Sequence, residues 1–231
     1  MILERLKEKL ADREIIVYRH ASPERRLRLH FINLVKHERE LLLSHVEAEQ
    51  LINALQATTS IPGDVAEVGV YRGASARILR QYTNSTKTVH LFDTFAGLPQ
   101  PGASDADFVK GQFVSSLKNV QDYLGFNGLQ YHVGTFPQSV TEEIAGRTFS
   151  FVHLDVDLYR GTLEALRFFY PRLTLGGIIV SHDMGAERAP GVKKAFHEYF
   201  GPLGVPWIQL SGYQGLVVKV QCSGKAEEIR S

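Results

Sequence analysis

Beyond residue 63 the chain alternates short, nearly continuous apolar runs with longer stretches whose apolar positions recur three or four residues apart. The short runs, at 65–69, 88–93, 129–133, 149–154 and 177–181, read as strands buried on both faces. The longer stretches read as helices. One spans 73–82, with Ala74, Ile78 and Leu79 toward the sheet; a second is marked by Phe113, Leu117, Val120 and Leu124; a short third spans 137–145. A fourth runs over 162–173 on Leu163, Leu166 and Phe169 and stops at Gly176-Gly177, and a fifth passes through Val192, Ala195, Phe196 and Tyr199. Strand and helix in strict alternation predict an α/β fold with a mostly parallel, doubly wound sheet. The runs at 207–210 and 215–220, separated by Ser-Gly-Tyr-Gln, predict a closing antiparallel hairpin.

The first sixty residues follow another rhythm. Ile2, Leu3, Leu6 and Leu10 share one helical face, which suits packing or self-association better than membrane attachment. Residues 15–18 read as a short extended piece. From Pro23 to about Ala57 the pattern is helical with room for a break; Ser22 is placed to cap it, Pro23 suits its first turn, and Glu24 suits its positive end. Glu38, Arg39 and His45 face either a neighbouring site or solvent. The breakers in 58–63 close this region. The expected organisation is a helical extension or lid over 1–60, an α/β domain over 61–222 and a tail over 223–231.

Composition narrows the function classes. An apolar share of 44% supports a sizeable core. Lys+Arg number 26 against 25 Asp+Glu, so net charge gives no reason to expect nucleic acid or a membrane surface as partner. The single cysteine, Cys222, excludes an intrachain disulfide and suits a reducing compartment. With no apolar run near the roughly 20 residues that span a bilayer, and a charge-interleaved start without a signal-peptide core, the expectation is a soluble cytoplasmic protein.

Candidate chemistry gathers where strands end. In Phe151-Val-His-Leu-Asp-Val-Asp-Leu-Tyr159 an apolar run leads into Asp155 and Asp157; strand alternation would direct both carboxylates to one side, at the sheet edge where such folds bind ligands. Glu67-Val-Gly-Val-Tyr-Arg-Gly73 joins the first strand to a helix. Gly69 permits a turn, Gly73 opens a helix start to an anion, and Glu67 suits a cationic amine; a turn serving packing alone remains the other reading. The motif is not the G-x-G-x-x-G of dinucleotide enzymes. Asp93, some twenty residues on, ends the second strand where an acid meets ribose hydroxyls. Gly134-Thr135-Phe136 is placed either to wall an adenine or simply to turn. His182 and Asp183 end the fifth strand; beside the fourth, they would join Asp155 and Asp157 to hold a divalent cation with a general base nearby. The alternative for His182 is a hydrogen bond to a neighbouring loop.

The stretches EVGVYRGASA (67–76), LFDTFAGLP (91–99), HLDVDLY (153–159), YPRLTLGGIIVSHD (170–183) and PGVKKAF (190–196) together resemble the macrocin O-methyltransferase family. That resemblance implies a Rossmann-like class I methyltransferase fold and methyl transfer from S-adenosylmethionine to a hydroxyl of a small molecule, a sugar or glycosylated natural product, usually with magnesium. It implies a methionine pocket at Glu67, Gly69 and Gly73 and a ribose ligand at Asp93; Tyr71, Ser75, Gly134, Thr135, Phe136 and Asp155 complete the expected cofactor site. It also implies metal ligands at Asp155 and Asp183, which His182 would join by its position, and Asp157 as the base. The family usually has two consecutive acids where this chain has His182-Asp183, so weaker magnesium dependence, or preference for an ion such as manganese, is expected. Two rivals stand beside this reading. One is a nicotinamide-dependent oxidoreductase; the other is a scaffold protein whose site is disabled at His182.

Overall fold

The computed structural model describes residues 22–221; the readings for 2–10, 15–18, Cys222 and the tail lie outside them. Two helices lead, α1 (Pro23–Glu38) and α2 (His45–Ala57). The helical region from 23 to 57 is therefore broken, and the sequence of the break explains it. Ser44 forms a capping box with Glu47: the Glu47 amide donates to Ser44 Oγ at 3.2 Å and the Ser44 amide to Glu47 Oε2 at 2.8 Å. This starts a new helix and leaves Leu42 in the connection.

The α/β domain follows as β1 (Asp64–Val68), α3 (Ala74–Tyr82), β2 (Val89–Asp93), α4 (Leu117–Leu124), β3 (Leu129–Val133), α5 (Glu142–Ala145), β4 (Phe149–Leu154), α6 (Tyr159–Arg172), β5 (Leu173–Ser181) and α7 (Pro190–Leu203), with β6 (Ile208–Gln209) and β7 (Gly215–Val218) closing it. The sheet order is β3-β2-β1-β4-β5-β7-β6. The first five strands are parallel, and β7 runs antiparallel to both β5 and β6. Side chains alternate between two cores. Val68, Phe92, Leu154 and Ile179 pack toward Phe169 of α6 and Phe196 of α7. Val65, Leu91, Phe151 and Val180 pack toward Leu51 of α2 and Leu79 of α3.

Three expected boundaries move. Phe113 precedes α4, because Ser116 caps that helix through the Asn119 amide. The helix expected over 137–145 is reduced to α5, capped by Thr141. Gly176-Gly177 do not stop a helix: α6 ends at Arg172, and both glycines lie inside β5, which begins at Leu173 opposite Phe149.

Candidate active site

Strands β1, β4 and β5 are neighbours, and their carboxyl ends build the site. The ladder continues one residue past each strand. The Gly69 amide donates to Phe92 O at 2.9 Å, Asp155 to Val68 O at 2.9 Å, and His182 to Leu154 O at 2.8 Å. A Cβ on Gly69, whose φ is +90°, would stand 1.8 Å from the Asp155 carbonyl oxygen. Glycine is thus required here for two strand tips to close on each other, more than for the turn that follows.

Asp155 and Asp157 both line the pocket above these tips, along with His182 and Asp183. The reason is not strand alternation as expected. β4 ends at Leu154, and Asp157 adopts the left-handed conformation at φ +58°, as Asp183 does at +59°. Acidic residues tolerate that conformation better than most, and their short side chains are turned inward by it. His182 stands among three carboxylates. Its Nδ1 lies 3.3 Å from Asp155 Oδ1 and 3.1 Å from Asp183 Oδ2, while Nε2 lies 3.6 Å from Glu47 Oε1.

The electrostatics follow from this crowding. Burial pushes the Asp157 carboxyl up to about 8, and the charges of Asp155 and Asp183 push the same way. Burial disfavours a charged His182, yet Asp155, Asp183 and Glu47 together override it and hold the imidazole protonated far above its usual range. Burial likewise opposes ionisation of Asp155 and Glu47. His182 overrides it at Asp155, which is lowered; at Glu47, the nearby His182 at 3.6 Å and hydrogen bonds from the Tyr213 and Ser44 amides bring the value down to about 2.

The remaining predicted residues divide into two groups. Tyr71, Asp93, Gly134, Thr135 and Phe136 line the same pocket. Asp93 already accepts from Val70 and Tyr71 amides through Oδ2, at 2.7 and 2.8 Å, and from the Phe95 amide through Oδ1 at 2.6 Å, so it braces the β1–α3 turn. Glu67, Ser75 and Gly73 do not line it. Glu67 is fully buried beneath α3, where its Oε1 meets His153 Nδ1 at 2.9 Å and burial raises its pKa; its Oε2 has no hydrogen-bond partner. Ser75 lies beside that carboxylate, and Gly73 is the N-cap of α3. Outside the pocket, Glu38 bonds Tyr123, Arg39 bonds the Asn119 carbonyl and His45 bonds Asn33.

Asp155, His182 and Asp183 fit a divalent cation by their donors. One ligand atom from each lies within 4.8 Å of the others; the buried Asp183 oxygens have His182 Nδ1 at 3.1 Å and Arg188 at 3.8 Å, and His182 could ligate only once a bound cation displaced its proton. Two carboxylates with one imidazole form a mixed oxygen–nitrogen set.

Residues 44–204, from the α2 cap to the end of α7, match the family described as macrocin-O-methyltransferase (TylF). The chain belongs to the macrocin-O-methyltransferase family. It is 29% identical over 163 residues to the 8-demethyl-8-(2,3-dimethoxy-alpha-L-rhamnosyl)-tetracenomycin-C 4'-O-methyltransferase of Streptomyces olivaceus, a match covering 63% of this chain and 60% of that protein. It is 31% identical over 162 residues to the mycinamicin III 3''-O-methyltransferase of Micromonospora griseorubida, covering 60% and 61%. The match thus spans less than two thirds of either curated relative. Among solved structures, the O-methyltransferase NovP superposes with a TM-score of 0.68 at 21% identity, covering 78% of this chain and 82% of that one. An O-methyltransferase from Bacillus cereus in complex with SAH superposes with 0.56 at 14%, covering 95% and 100%. These likenesses establish the class I methyltransferase fold for this family member, including its C-terminal antiparallel strands. Among the described residues, no helix is long and apolar enough to cross a membrane.

Sequence reasoning about this macrocin-O-methyltransferase family member missed Leu42, Leu98, Phe113 and Arg188, which line the pocket, and Glu47, which touches His182. Glu47 carries one readable signal, the Ser44-x-x-Glu47 capping box. Its second role depends on where the chain places α2.

Proposed function

We propose that the chain is an S-adenosylmethionine-dependent O-methyltransferase acting on a hydroxyl of a small molecule, with a sugar-bearing natural product the class its relatives' names suggest. The observation that carries the reading is the single pocket shared by the β1 turn, Asp93, Phe136 and the Asp155–Asp157–His182–Asp183 cluster.

S-adenosylmethionine supplies a methyl already activated on a sulfonium, which leaves the protein two tasks: alignment and removal of a proton. Alignment is worth roughly 7–11 kcal/mol in well-oriented reactions. Tyr71 and Gly69 line the donor side, Asp93 is the candidate ribose ligand, and Gly134, Thr135 and Phe136 the adenine wall. Glu67, buried outside the pocket against His153 and beside Ser75, supports the turn from below instead of facing the donor's ammonium, and Gly73 caps the helix that follows. Asp157 accepts the hydroxyl proton as the methyl moves from sulfur to oxygen. Burial and the charges of Asp155 and Asp183 hold Asp157 protonated, and a positive charge beside it would lower that pKa again and make the carboxylate available as acceptor. Leu42, in the connection between α1 and α2, and Leu98 and Phe113, in the loop after β2, cover the pocket and exclude water.

Asp155, His182 and Asp183 would hold a divalent ion, which would lower the pKa of a coordinated hydroxyl and fix its position. The imidazole favours manganese over magnesium there. A second reading keeps the site ion-free. Both ring nitrogens of His182 face only carboxylate oxygens, and the imidazolium this requires would itself supply the cation.

Calorimetric titration of chelator-treated protein with S-adenosylmethionine, repeated with magnesium and manganese, tests the whole reading. Micromolar binding is expected, with methyl transfer to a glycoside panel stimulated most by manganese. No binding under any condition would overturn the assignment. Equal turnover with either ion and after chelation would remove the metal and leave the imidazolium reading.

A further inference from the structure

Asp105 sits midway along the loop that joins β2 to α4, in a stretch rich in Pro, Gly and Asp, yet it is only 1% exposed. Nothing in the proposed chemistry uses it. Its Oδ1 accepts from the backbone amide of Tyr159 at 2.9 Å, and its Oδ2 from the Gly102 amide at 3.2 Å. Tyr159 is the first residue of α6, and that helix has no side-chain cap of its own, because Leu158 holds the cap position. Asp105 therefore supplies from a distant loop the anionic acceptor that a helix start requires. The third wall of its niche is Gly191 in the first turn of α7, where a Cβ would stand 2.2 Å from Asp105 Oδ1. Phe108, three residues on, is buried in the core on the α6–α7 face.

Both partners in this contact lead directly to the pocket. The loop closes on itself through Leu98 and Gln112, the Leu98 amide donating to Gln112 O at 2.8 Å, and its two ends carry Leu98, Pro99 and Phe113 into the pocket wall. Tyr159 lies two residues beyond Asp157, whose left-handed backbone turns its carboxylate toward Asp155 and Asp183. We infer that Asp105 is a positioning residue: it locks the 96–113 loop to the segment that carries Asp157, so that the apolar wall and the carboxylate cluster of the pocket are held as one body. The structural part stands on the contacts alone; its consequence for ligand binding rests on the pocket being the methyl-donor site.

The test is hydrogen–deuterium exchange on the full chain, wild type against D105A, D105N and G191A, together with calorimetry using S-adenosylhomocysteine. Loss of the cap in D105A is expected to speed exchange about tenfold in both 96–113 and 155–162, leaving β2 and β3 unchanged. G191A should raise exchange in both segments as well, since its added carbon would overlap the Asp105 carboxylate and, at 2.8 Å, Tyr159 Cβ; D105A is the variant that isolates the carboxylate. D105N should recover much of the protection over 155–162, because its carbonyl still accepts from Tyr159. S-adenosylhomocysteine should bind D105A about tenfold more weakly, following the loosened wall. Exchange that rises evenly over the whole fold, or that rises in the loop while 155–162 stays protected, would overturn the coupling. Wild-type protein that binds no S-adenosylhomocysteine would overturn the donor-site reading instead, and the paired exchange pattern would still decide the role of Asp105.

Discussion

Asp157 shows how much a single residue's backbone decides. Its φ of +58° turns the side chain into a pocket that strand alternation alone would not have given it, and burial beside Asp155 and Asp183 raises its pKa. Asparagine also tolerates the left-handed region, so Asp157→Asn removes the proton acceptor while keeping the turn. S-adenosylmethionine affinity, measured by calorimetry, should stay within a few-fold of wild type, while methyl transfer should fall about a hundredfold or more. Near-normal turnover would take Asp157 out of the base role. That Asp155 and Asp157 would share one pocket was legible because two carboxylates at the end of an apolar run are costly unless they open onto a polar or ligand-filled space. Glu47 was not legible as part of it, since the residue lies more than a hundred positions from His182 and each of its neighbours in sequence belongs to an ordinary amphipathic helix.

At the scale of elements, the capping box at Ser44 does two things at once. It starts α2, and it aims Glu47, whose Oε2 closes the box while Oε1 accepts from the Tyr213 amide at 2.8 Å and faces His182. Ser44→Ala removes one side of the box. Stability measured by urea unfolding should drop by about 1 kcal/mol. A loss well beyond 2 kcal/mol would show that the serine supports more than a helix end. The break between α1 and α2 was readable only as a possibility, because the apolar period continues across it; the capping box decided where it fell. The short α5 and the start of α4 moved for the same reason, each set by a single capping hydroxyl, Thr141 or Ser116.

At the scale of the whole molecule, the far edge of the sheet carries a group of histidines unrelated to the pocket. His90 Nδ1 lies 3.2 Å from His132 Nε2, and His90 Nε2 lies 3.2 Å from Asp64 Oδ2, which also meets Arg147. Burial lowers the pKa of both rings, to about 4 at His132, where the neighbouring His90 adds to the effect; Asp64 and Glu143 oppose it without prevailing. The folded protein thus keeps these rings neutral where the unfolded chain, near 6.5, takes up protons. The contribution of these two rings to stability is complete above about pH 6.5 and is lost as pH falls from there toward 4, against the raised Asp157 and His182, which act in the opposite direction. Thermal melts between pH 7.5 and 4.5 should show a falling midpoint whose slope is shallower in His132→Gln. Parallel slopes in the two proteins would exclude this pair as the source.

The sequence by itself determined the α/β class, the order of strands and helices, the closing hairpin and the strand tips that carry acids. These follow from local periodicity and from glycines and caps acting over a few residues. The tertiary structure decided which tips meet, and therefore which charges share one pocket. It placed β4 between β1 and β5, set Glu67 under α3 against His153 instead of in the open pocket, surrounded His182 with three carboxylates and drew Asp105 across to the start of α6. Each of these is a contact between residues far apart along the chain, and such contacts depend on how layers pack and on which buried polar atoms must find a partner. Local pattern names the elements; only packing tells a buried carboxylate what it faces.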